Sequence, residues 1–133
     1  MGRYDEAERM LLPHMDTLME RAVRQQPLSK LEEDDPDDLF RVAIGYALDL
    51  AQGLREPKWI DWVFRMHLAT GRLMDAQTIE RLHTLVRSLE YNRRRHVRLY
   101  LQGVQNRTPE FGPSEQFLAN RLDGLAQVIL ARR

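Results

Sequence analysis

Apolar residues recur every three to four positions along almost the whole chain, and proline or glycine separates the segments that show this period. That spacing puts the apolar side chains on one face of a helix, whereas a half-buried strand would need strict alternation. The pattern leaves helix-on-helix packing as the architecture.

Ala7, Leu11, Met15, Leu18 and Ala22 form the first set, opened by Asp5 and Glu8 at capping-box spacing. Pro13 lies inside it. Either the helix kinks there, or it begins there with the ring in its first turn, where no hydrogen bond is lost. Pro27 ends the segment. Asp35 is next placed as an N-cap and Pro36 as the first helical residue, with Asp37 and Asp38 where the helix dipole favours negative charge. Phe40, Ala43, Ile44, Ala47, Leu50 and Ala51 mark the inner face of this second helix, and Gly53 is expected to stop it.

Pro57 opens a third helix and Gly71 closes it. Its stretch Trp59-Ile60-Asp61-Trp62-Val63-Phe64 is apolar nearly all round, which suits a central helix covered by its neighbours. Both tryptophans are expected in the core rather than on a ligand platform. Met74 and Ile79 then staple around Asp75 as N-cap, so a fourth helix starts near Ala76. No glycine follows until Gly103 and no proline until Pro109. Helical patterning therefore runs to about Asn106, roughly 31 residues or about 46 Å. Residues 108–113 make a turn, and a last helix directs Leu118, Leu122, Leu125 and Ile129 inward. The expected fold is all-α: a five-helix bundle with one long helix at about residues 76–106, in a single domain over 1–133 with an acidic linker at about 27–35.

Composition limits the chemistry. The chain has no cysteine, so disulfides, thiolate metal sites and cysteine nucleophiles are excluded. Residues 1–26 carry charges throughout, unlike a secretory signal. The longest nearly apolar run, 59–69, is broken by Asp61, Arg65 and His67 and is far short of the roughly 20 residues that span a bilayer. A cytoplasmic protein is expected. The sequence has no Gly-rich phosphate loop, nucleophile elbow or zinc-protease motif, and Ser29, Ser88 and Ser114 have no nucleophile context. His14, His67, His83 and His96 are scattered. Glu80 and His83 form an ExxH pair of the kind that di-iron bundles use twice, but no second copy exists. No cofactor, metal or catalytic residue is expected.

Formal net charge is zero, yet residues 1–61 hold fourteen acids against eight Lys/Arg, and residues 62–133 hold six against twelve. The halves are thus −6 and +6, which can steer a partner or a second copy. Arginine outnumbers lysine eighteen to two, as a GC-rich genome produces, and is the better residue for bidentate contacts to carboxylate and phosphate.

On a continuous fourth helix Ile79, Leu82, Val86, Leu89, Val97, Tyr100 and Val104 share a stripe. Arg87, Tyr91, Arg94 and Arg98 lie nearly opposite it, with Arg95 at the edge. Arg93 falls in the middle of the apolar stripe, where an unpaired guanidinium is costly. Three ways out exist: the helix kinks there, Arg93 pairs with Asp49 or Asp61, or the helix leaves the domain and another surface covers Tyr100, Leu101 and Val104. The expected function is a non-enzymatic protein–protein interaction module, an adaptor or a self-assembling homodimer subunit, acting through this helix. Its partner- or anion-binding residues are Arg87, Tyr91, Arg93, Arg94, Arg95, Arg98 and Tyr100. The alternative is a nucleic-acid-binding regulator that uses the same basic face.

Overall fold

The computed structural model describes residues 2–29 and 35–131, and residues 30–34 of the expected acidic linker lie outside them. Among the described residues there are six α-helices, one 3-10 turn and no strand. The helices are α1 (Gly2–Val23), α2 (Pro36–Leu54), α3 (Pro57–Thr70), α4 (Ala76–Ser88), α5 (Arg95–Arg107) and α6 (Pro113–Leu130). No helix is long and apolar enough to cross a membrane among these residues.

Most helix ends follow local chemistry. Asp35 caps α2 by accepting the Asp37 N–H at 2.9 Å, and Asp75 caps α4 by accepting the Thr78 N–H at 2.7 Å. Gly71 closes α3 in the left-handed region at φ 70, with its N–H on the His67 carbonyl. Prolines open α2, α3 and α6. α1 starts at Gly2 and runs through Pro13, which lies on the exposed side of the helix.

α3 is the centre, packed against α1, α2, α4 and α5, while α6 closes over α4 and α5. Trp59, Ile60, Trp62, Val63, Phe64 and Met66 are all buried, as expected for a helix apolar nearly all round. Glu8 ties α1 to it, accepting the Trp59 indole N–H at 2.5 Å and lying 3.3 Å from Lys58 Nζ.

Two expectations are corrected. Gly53 does not stop α2, which continues to Leu54 and ends with Arg55 in the left-handed region at φ 53. The Arg55 guanidinium holds that end by donating to the Ser88 carbonyl at 3.1 Å. Gly53 is instead a packing glycine: a Cβ there would fall inside the Tyr4 ring of α1.

The second correction is larger. No helix spans 76–106, so the fold has six helices rather than five and the longest, α1, has 22 residues. α4 stops at Ser88, Glu90 turns left-handed at φ 53, and α5 starts at Arg95. The cause is Tyr91. A continuous helix would place it outward, but its ring is 1% exposed and lies parallel to Phe64 at 6.3 Å. Its N–H reaches back to the Val86 carbonyl at 3.0 Å, closing α4 as it turns inward. Burying a tyrosine is worth about 2 kcal/mol, more than the roughly 1 kcal/mol of a non-glycine residue at positive φ. The break also lets α5 fold back onto α3, where Val97, Tyr100 and Val104 are buried within the chain.

Candidate functional site

Breaking the long helix turns its basic face into a corner. α4 contributes Arg87 from its last turn, the connection 89–94 contributes Arg93 and Arg94, and the first turns of α5 contribute Arg95 and Arg98. Arg87, Arg93, Arg95 and Arg98 are exposed and Arg94 is half-buried. Arg93 thus takes the first of its three ways out: it sits in the connection, facing solvent. The acids proposed for it are taken, Asp49 by Arg81 at 2.8 Å and Asp61 by His96 and Tyr91.

The corner stands on a polar tether. Asp61 of α3 accepts the Tyr91 hydroxyl at 3.3 Å and lies 3.0 Å from His96 Nδ1, so one carboxylate fixes both the connection and the start of α5. Burial foremost, and then the Asp61 charge, pushes the Tyr91 hydroxyl well above its ordinary range, so it stays a donor at any physiological pH. A second hydroxyl holds the other part of α5. Tyr100 donates to the Arg72 carbonyl at 2.6 Å and accepts the Met74 N–H at 2.8 Å.

Of the seven residues expected to bind a partner, five arginines therefore lie at the surface, and both tyrosines are buried beneath or beside them. Tyr91 anchors the connection that carries Arg93 and Arg94, Tyr100 ties α5 to the 71–75 connection, and both are buried. The basic face loses the aromatic that the continuous-helix register interleaved with it.

What sets the corner apart is the clustering of its cations. Elsewhere Arg24, Arg41, Arg72 and Arg81 pair with acids, Arg21, Arg55 and Arg107 donate to backbone carbonyls, and the described arginines that do neither, Arg3, Arg9, Arg65 and Arg121, are spread over α1, α3 and α6. Among the described residues, Arg87, Arg93, Arg94, Arg95 and Arg98 make no ion pair or hydrogen bond. α5 has no acid in its first turn and no side-chain cap. Cations at a helix N-terminus oppose the macrodipole, so Arg94 and Arg95 stand where stability alone favours Asp or Ser. The positive field reaches His83, whose pKa is lowered by burial first and then by Arg87 and Arg121. That field also disfavours a cation at the Glu80–His83 pair, and no group of three possible metal ligands occurs among the described residues.

Compared with known proteins, the chain matches no family model and has no significant match to a curated protein or a solved structure.

Proposed function

We propose that this chain is a non-enzymatic helical module that binds an acidic protein surface through the arginine corner at 87–98. The observation that carries this is the cluster of five arginines without an intramolecular counter-ion, of which Arg94 and Arg95 stand at the start of α5 where they oppose the dipole. Planar guanidinium groups suit bidentate contact with Asp and Glu side chains. Beneath them Tyr91 and His96 are both hydrogen-bonded to Asp61, so the corner is preorganised and little ordering is left to binding. The stripe of Val97, Tyr100 and Val104 is covered within the chain, so the proposal rests on the corner and not on that stripe.

One observation favours nucleic acid as a second reading. Arg95, Arg98, Gln102 and Asn106 are all exposed on one side of α5, and these residue types read base edges in a major groove. Against it stand the burial of Tyr91, which removes a stacking platform, and the zero net charge.

Fluorescence anisotropy separates the two. A labelled polyglutamate peptide and a mixed-sequence DNA duplex are titrated with the wild-type protein and with a variant carrying Arg93, Arg95 and Arg98 as glutamine. The expected result is saturable binding of the peptide, weakened about tenfold or more in the variant, with the duplex the poorer ligand. Duplex binding that is tighter and falls steeply with salt would support the nucleic-acid function instead. Peptide binding that is equal in wild type and variant would refute the role of the corner.

A further inference from the structure

A cleft of about 460 Å³ opens between α2, α4 and the 71–75 connection. Phe40, Ile44, Leu48 and Leu73 give it an apolar lining. His67 of α3 also lines it, and its ring is 2% exposed. The ring is held edge-on by Phe40 at 4.9 Å and by Tyr100 at 5.8 Å.

The protonation state of this ring follows from its surroundings. Nδ1 lies 2.8 Å from the Val63 carbonyl, and a carbonyl only accepts, so Nδ1 carries the hydrogen. Burial keeps the ring neutral, with its pKa lowered to about 4. Nε2 is therefore a lone-pair acceptor, and among the described residues it has no donor. Nε2 is not among the fully buried unpartnered atoms, and as an acceptor on a ring that lines the cleft it is open to a ligand that supplies an O–H or N–H.

Three arginines, Arg41, Arg72 and Arg81, line the cleft together with the carboxylates Asp37 and Asp75. Arg72 stacks over the Phe40 ring at 4.6 Å and meets Asp37 at 2.6 Å, and Arg81 meets Asp49 at 2.8 Å. Both guanidinium side chains are 32% exposed, whereas the two carboxylates are 68% and 60% exposed. The arginines belong to the wall, and their present counter-ions are the solvated members. Such pairs contribute little, so an incoming carboxylate displaces Asp37 or Asp49 at small cost. The wall is open at Gly45, where a Cβ would meet nothing within 4 Å.

We propose that this cleft binds a small aromatic carboxylate bearing a hydroxyl at its far end. The hydroxyl donates to His67 Nε2, the ring lies against Phe40, Ile44 and Leu48, and the carboxylate meets Arg72 or Arg81. The volume falls in the range of small-molecule sites. This site is independent of the arginine corner, and each stands without the other.

Isothermal titration with para-hydroxybenzoate and benzoate tests the assignment, together with the ¹⁵N resonance of His67 Nε2. The expected result is saturable binding of para-hydroxybenzoate, benzoate weaker by about tenfold or more, and a shift of the Nε2 resonance with the hydroxylated ligand alone. The variant Gly45→Leu fills the cleft from α2 and removes a glycine from a helix interior, so it folds with an equal or higher Tm and loses binding. No saturable binding of either acid, equal affinity for both, or undiminished binding in Gly45→Leu would overturn the proposal.

Discussion

Arg72, Arg81 and Arg107 end on Asp37, Asp49 and the Gly71 carbonyl, whereas Arg87, Arg93, Arg94, Arg95 and Arg98 end on nothing within the described chain. The first group lines or braces the cleft between α2 and α4, and the second crowds the corner between α4 and α5. One residue type thus serves two purposes. In the cleft arginine is part of the wall, stacked and paired. At the corner it is held out by a rigid base of Tyr91, Asp61 and His96. The first set has its partners within the fold, and the second is gathered in one place without any.

The comparison breaks most easily at Tyr91, because the corner depends on its burial. Tyr91→Ala should cost about 4 kcal/mol in urea unfolding, the loss typical of a buried aromatic, and raise hydrogen exchange along 89–94. A cost under about 1 kcal/mol would mean that the break in the helix has another cause.

The cleft has its own signature, in pH. The folded state keeps His67 neutral down to about pH 4, while the unfolded chain takes up a proton near pH 6.5. The unfolded state binds more protons between these values, so stability falls as pH drops through that window and is flat above it. The full effect is about 3 kcal/mol, and it should be missing from the pH dependence of His67→Leu measured beside wild type. Parallel pH profiles for the two proteins would contradict a buried neutral ring.

Smaller effects compare the arginines directly. Arg72→Ala should destabilise by about 1 kcal/mol through the lost stacking on Phe40, most of its exposed ion pair being screened. Arg95→Glu should have the opposite sign, stabilising by about 0.5 kcal/mol because an acid replaces a cation at the start of α5. If the same variant also loses the acidic peptide, stability and binding are opposed at this position.

What could be read in advance divides along the same line. The starts of α2, α3 and α4 were legible, because Asp35, Pro36, Pro57 and Asp75 act through their own backbone or the next turn. The burial of Trp59 and Trp62 was legible from the all-round apolar pattern of α3. The end of α4 was not, because no glycine or proline marks it and its cause is the distant pair Phe64 and Asp61. Arg93 was the one signal, a cation misplaced on the apolar stripe of a helix that does not exist. Gly53 misled for a related reason: its lack of a Cβ answers to Tyr4 in another helix and not to a helix end. The five arginines were named from the sequence, but their lack of partners became visible only once the acids around them had been placed.

The central claim is that the unpaired arginines clustered at the corner, and neither the paired ones nor those scattered over α1, α3 and α6, meet an acidic partner. Chemical-shift mapping of the ¹⁵N-labelled protein with a short polyglutamate peptide tests it directly. The expected result is a set of shifts confined to 87–98 and the exposed side of α5, with the amides around Arg41, Arg72 and Arg81 unmoved. Shifts centred on the cleft arginines, or spread evenly over Arg3, Arg9 and Arg65 as well, would contradict it.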